Sequence, residues 1–189
     1  MTGLRDEALA TLRAWQPPDE SQERLRAAYV NHLKAHPDGT SRRCHPAHVT
    51  AGALVLSADH TQVLLTLHAK AHRWFHLGGH CEDGDPTLLA AATREAAEES
   101  GLAGLRLDPL PLHLDAHEVA FCGPHERVSH LDVRFLALAP RGAQPTVSDE
   151  SIDVRWWPVD ALPTDDPDMH ELVTAARTRV AGQRSSAAI

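Results

Sequence analysis

The chain predicts an α/β fold on a single core, with a helical appendage ahead of it. Three observations carry that reading. Two amphipathic helical stripes open the sequence, alternating apolar runs follow them, and a glutamate-crowded helix interrupts the strand series before a last helix closes it. At 189 residues and 42% apolar content, one core plus an appendage can be filled.

The elements follow in order. Leu4, Ala8, Leu9, Leu12 and Trp15 recur at helical spacing and stop before Pro17-Pro18. Ser21 is the expected cap of a second helix with stripe Leu25, Ala28, Tyr29, His32 and Leu33, ending at His36-Pro37-Asp38-Gly39. Residues 1–44 therefore form a helical appendage that packs on the core, gates a pocket or makes a homodimer contact. Strand character begins near His48. Residues 49–56 are an apolar run, Ser57-Ala58-Asp59-His60 is a turn, and residues 62–68 alternate, which reads as a hairpin. Residues 73–77 lead to a glycine pair. Asp85-Pro86 reads as a helix start, with an acidic cap and a proline where no donor is needed. Leu89, Ala92 and Ala96 share a face whose small side chains let the helix lie close to a sheet, and Gly101 ends it. Strands are expected at 110–119, 131–139 and 154–157, a loop at 163–168 and a helix at 170–180. The core thus spans 45–182, and 183–189 read as a frayed, disordered tail.

Charge excludes several partners. The net charge is −8 with no basic run, so a nucleic-acid footprint is absent. Acids and bases are scattered rather than patched, and no apolar stretch approaches the ~20 residues of a membrane span. Residues 1–15 alternate charged and apolar side chains, unlike a secretory signal. Cys44, Cys81 and Cys122 are odd in number and make no CxxC pair, which favours reduced thiols in a cytoplasm.

The densest chemistry lies in Gly78-Gly79-His80-Cys81-Glu82-Asp83-Gly84-Asp85 and, after eight residues, Arg94-Glu95-Ala96-Ala97-Glu98-Glu99-Ser100-Gly101-Leu102. On a helix Glu95, Glu98 and Glu99 fall within an arc of roughly 100°. Like charges so placed repel, and Arg94 is expected to cover only one of them. A hard divalent cation, which takes oxygen ligands, accounts for the crowding.

This string resembles the Nudix box: Gly, five residues, Glu, seven residues, Arg-Glu, an apolar residue, any residue, Glu-Glu, any residue, Gly, apolar. From Arg94 to Leu102 every specified position matches, and Gly79 matches before it. Asp85 stands where the family has Glu, and the interval from Asp85 to Arg94 is one residue longer than the pattern. The exchange keeps the charge but shortens the arm that braces the arginine. The resemblance covers residues 46–180 as a fold, a Nudix α/β/α sandwich with a mixed sheet, and 78–102 as a motif. It implies a hydrolase using Mg2+ or Mn2+, with water attacking phosphorus in the pyrophosphate linkage of a nucleoside diphosphate joined to another moiety. Its partner is then a small nucleotide-type molecule. Glu98 and Glu99 are implied as metal ligands, Glu95 as ligand or general base, the Gly78 carbonyl as a further ligand, and Arg94 as the group that orients a glutamate.

Other candidates surround the motif. The chain has fourteen histidines. His76 and His80 flank the glycine pair, and His80 is a candidate substrate contact. His113, Asp115 and His117 alternate along a strand, where they could ligate a transition metal, meet phosphate or form a polar face. Trp74, next to Phe75, could stack a base or belong to the core. Trp156-Trp157-Pro158 reads as packing. Glu150 sits in an acidic loop where related proteins sometimes carry another ligand or base. Cys81 has no neighbouring cation that would make it a nucleophile. Two other functions stand beside the enzyme: a nucleotide-sensing module that has lost catalysis, and a histidine-rich metal-binding protein. The first usually lacks box glutamates, and all three are present here. The second requires the histidines to converge in space.

Overall fold

The structure is a computed structural model and describes residues 3–119, 127–148 and 151–187. Two helices, α1 (Leu4–Ala14) and α2 (Glu20–Ala35), precede the strands β1 (Ala47–Leu56), β2 (Gln62–His68), β3 (Trp74–Phe75) and β4 (Leu77–His80). Helix α3 (Leu88–Ser100), strands β5 (Arg106–Val119), β6 (Val128–Leu138) and β7 (Ser151–Pro158), and helix α4 (Pro167–Ala187) complete the order. The strands form one mixed sheet in the order β3-β2-β1-β6-β5, with β4 also paired to β1 and β7 to β2. Only β1 and β6 run parallel; every other pair is antiparallel. Strand β1 meets β4 along residues 50–53 and β2 only at Val55 and Leu56, so its edge passes from one partner to the other.

Helices cover both faces, which explains why β1 reads as a continuous apolar run. Val49, Ala51, Leu114, Val133 and Phe135 pack with Leu88, Ala91 and Ala92 of α3 and with the appendage. On the other face Leu54, Leu56, Leu65 and Leu136 pack against Met169, Leu172 and Ala176 of α4. The result is the expected α/β/α sandwich.

The appendage is part of this core. Leu12, Tyr29 and Leu33 are fully buried in the same apolar cluster as Val49, Leu88 and Phe135. The Gln22 side chain accepts from the Leu114 amide at 2.7 Å and donates to its carbonyl at 3.0 Å, satisfying backbone groups of the edge strand β5. Glu7 accepts the Leu88 amide at 2.9 Å, so α1 supports the first turn of α3. The stripes are spent inside the chain, which favours packing over a gate or a dimer contact.

Strands β5, β6 and β7 and helix α4 begin earlier than expected, and two helix caps and one helix end also differ. Asp19, not Ser21, caps α2: its carboxylate accepts from the Gln22 amide at 2.9 Å, and Ser21 donates to that same carboxylate. A carboxylate at the positive end of the helix dipole is the better acceptor. Thr87, not Asp85, caps α3, accepting from the Ala90 amide at 2.9 Å, because Asp85 is engaged elsewhere. Helix α4 continues to Ala187, so most of the expected tail is helical; Gln183 on it donates to Asp108 at 2.8 Å. Residues 188–189 lie outside the described residues.

Candidate active site

Strand β4 and helix α3 meet at the glycine pair with no room for a side chain. A Cβ on Gly78 would lie 2.6 Å from the Gly52 Cα, and one on Gly79 would lie 2.8–2.9 Å from the Glu95 carboxylate. The motif's glycines are therefore required by close approach: one lets β4 pass β1, the other lets Glu95 rest on the strand. The Gly78 amide donates to the buried Glu99 at 3.0 Å. Gly101 stops the helix in the left-handed region at φ 65°.

Arg94 does more than expected. Its fork meets Asp85 twice, Nε to Oδ1 at 3.2 Å and Nη2 to Oδ2 at 2.9 Å. Nη2 also donates to the His80 carbonyl at 3.0 Å, while Nη1 reaches Glu95 at 2.9 Å and Glu98 at 3.1 Å. One arginine thus covers three carboxylates, because five planar donors point in several directions at once. Asp85 braces it with both carboxylate oxygens despite the shorter side chain. Burial alone would raise the Asp85 carboxyl, but Arg94 and the Glu82 amide outweigh it and hold it below its ordinary value.

The three box glutamates differ in access. The Glu98 side chain is 61% exposed, Glu95 is 14% exposed beside Arg94, and Glu99 is turned to the Gly78 amide. Among the described residues, the groups of three ligand side chains whose donor atoms lie within 4.8 Å of one another are His48/His80/His130 and His36/Asp38/Cys44, not the glutamates. Arg94 stands between Glu95 and Glu98 instead. The donor set still fits a hard cation: all oxygen, more carboxylates than positive charge, and an exposed Glu98 that can turn away from Arg94 at little cost.

A profile of the NUDIX domain family matches residues 46–176. The chain belongs to the Nudix family. With the box glutamates present, it is a Nudix hydrolase, an enzyme of acid anhydrides. Solved structures share the fold. A Nudix-family hydrolase from Clostridium perfringens is 23% identical with a TM-score of 0.55, over 69% of this chain and 97% of that one. A C. elegans Ap4A hydrolase in a binary complex is 20% identical with a TM-score of 0.58, over 71% and 98%. The NUDIX domain of Shewanella oneidensis NrtR complexed with ADP ribose is 20% identical with a TM-score of 0.52, over 70% and 87%. Among curated proteins, none matches the sequence.

The Nudix sheet face opposite α3 is polar where α4 does not reach. Register places Thr50 beside His80 and Asp132, and His48 beside His130. Arg134, buried, holds Asp132 at 2.8 Å, Asp168 at 2.7 Å and Asp115 at 3.1 Å. Asp132 also accepts from Thr50 at 3.1 Å and pairs with His76 at 3.0 Å. Burial alone would raise Asp132, but Arg134 and His76 overcome it and hold this carboxylate well below its usual range.

The expected alternating set on β5 does not form one site. His113 turns to Gln22 at 3.1 Å, whereas Asp115 pairs with His117 at 2.7 Å and with Arg134. The hydrogen bond that His117 donates to Asp115 raises its imidazole against the effect of burial. Trp74 packs edge-on to Trp157 at 5.2 Å, with the Arg155 guanidinium 5.7 Å from each ring, against the α4 cluster. It is a packing residue, held away from the carboxylates by its strand face. Cys81 is buried, which pushes its thiol up to about 12, so it is no nucleophile. Glu150 and Cys122 lie outside the described residues. His48, His130, Asp132 and Arg134 were not among the residues expected at a site. Their signal was the period-two alternation His130, Asp132, Arg134 inside an apolar strand.

Proposed function

We propose that this Nudix hydrolase cleaves the pyrophosphate linkage of a nucleoside diphosphate joined to another moiety, with Mg2+ or Mn2+ as cofactor. The observation that supports it most is the carboxylate cluster of α3 seated on Gly78–Gly79 and centred on Arg94. Glu98 and Glu99, with the Gly78 carbonyl, would hold the cation. When bound, such an ion supplies charge neutralisation for the diphosphate and acidifies a bound water. Glu95 rests on the glycine backbone and would act as ligand or as the base that takes the proton from the attacking water. Water oxygen bonds to phosphorus, the bridging P–O bond breaks, and the leaving phosphate departs with its electron pair. Arg94 positions Glu95 and Glu98 and does not reach substrate in this reading. His80, expected as a substrate contact, turns its ring to the other sheet face beside His48 and His130, away from the carboxylates.

A substrate of this class is supported by the fold neighbours, one named as an Ap4A hydrolase and another complexed with ADP ribose. Work in the cytoplasm accords with the free, buried Cys44 and Cys81. No described helix is long and apolar enough to cross a membrane.

The test is a hydrolysis screen over nucleoside triphosphates, ADP-ribose, dinucleoside polyphosphates and NADH, with Mg2+, then Mn2+, then EDTA. Turnover of at least one, abolished by EDTA and restored by the metal, is expected. Nucleotide binding without turnover of any compound would favour a sensing module instead. Millimolar Mg2+ should also raise the melting temperature, since a ligand at a hundred times its Kd stabilises by ~2.7 kcal/mol.

A further inference from the structure

Three histidines from three strands converge behind the box. His48 lies on β1, His80 at the end of β4 and His130 on β6. Their rings stand 5.1, 5.0 and 5.0 Å apart, a near-equilateral triangle, and one nitrogen of each lies within 4.8 Å of the others. His48 Nδ1 is 3.1 Å from the Cys44 carbonyl, so it carries the proton and leaves Nε2 as the lone-pair nitrogen. Nε2 of His130 is buried with no hydrogen-bond partner among the described residues. Leaving such an atom unmet is costly, and a bound cation would recover that cost.

We propose that His48, His80 and His130 bind a transition-metal ion of the zinc class, distinct from the carboxylate site. Three neutral imidazoles with no carboxylate among them suit Zn2+, Co2+ or Ni2+ and disfavour Mg2+. Tetrahedral coordination with Zn–N near 2.0–2.1 Å needs nitrogens about 3.3 Å apart, a contraction that small side-chain rotations cover. Because Arg94 donates to the carbonyl of His80, an ion here also pins the residue that links β4 to the arginine.

The test uses the full, tag-free chain stripped with EDTA and titrated with Co2+. One equivalent should give the intense visible absorption of four-coordinate Co2+, displaced by Zn2+ and not by millimolar Mg2+. His130→Asn should weaken binding at least a hundredfold, while Glu98→Gln should leave it unchanged. His80→Asn serves as the second variant if circular dichroism shows the first unfolded. A weak six-coordinate spectrum would overturn the proposal. So would a thiolate-to-cobalt charge-transfer band, which would place the ion at Cys44, or loss of the signal in Glu98→Gln.

Discussion

Arg94 and Arg134 each gather three carboxylates, yet one builds an open cluster and the other a closed one. Around Arg94, itself 21% exposed, Glu98 reaches solvent and can leave its partner. Around Arg134, 3% exposed, Asp132 is sealed by Thr50 and His76, and α2 closes the neighbourhood with Tyr29, whose hydroxyl donates to the Asp115 carbonyl at 2.5 Å. Both clusters hold more negative charge than their arginine cancels. The open one can exchange a partner for a cation. The closed one fastens β5, β6 and the start of α4 together around a sealed Asp132. Access to solvent, rather than charge count, separates chemistry from architecture here.

Removing residues 1–44 should break the closed cluster and much of the core at once. It takes away Tyr29, Gln22 and Glu7 and bares the cluster that Leu12 and Leu33 fill, at about 25 cal/mol per Å2 of apolar surface. The truncated chain should aggregate or melt far earlier. A soluble truncation with unchanged melting and kinetics would show the appendage to be dispensable.

Arg134→Met comes next. It strands Asp132 in the interior, and breaking a buried pair this way costs about 3–5 kcal/mol. Denaturant unfolding should show that loss; a change under 1 kcal/mol would mean that the cluster is not closed in solution.

Glu98→Gln should do the reverse. The side chain is exposed and nearly isosteric, so the melting temperature should hold while turnover falls at least a hundredfold, about 2.7 kcal/mol. Equal turnover in mutant and parent would remove Glu98 from the mechanism.

The smallest effect is in acid. Asp132 is held below its ordinary value, so its contribution is complete above an unfolded pKa near ~3.9 and lost as pH falls through its lower folded value. His117, raised by Asp115, contributes fully below about 6.5 and loses this as pH rises through its own higher value. Stability should therefore decline at both ends, and Arg134→Met should flatten the acid limb. An unchanged acid limb in that variant would show that Asp132 does not carry it.

What the amino-acid order settled by itself is local. The stripe of α2, the αL stop at Gly101 and the spacing of Glu95, Glu98 and Glu99 are all set within a few residues, where helix geometry alone decides which side chains are neighbours. The box was legible for that reason, and with it the Nudix fold. Tertiary structure decided the rest. Asp85 was free to cap a helix until a guanidinium nine residues away claimed it. His113, Asp115 and His117 shared a period, but Gln22, 91 residues from His113, turned the first aside. His48, His80 and His130 share no pattern along the chain, and only the register of β1 with β4 and β6 brings their rings together. Sequence spacing fixes contacts within an element; contacts between strands depend on pairing and on which face a third element leaves uncovered.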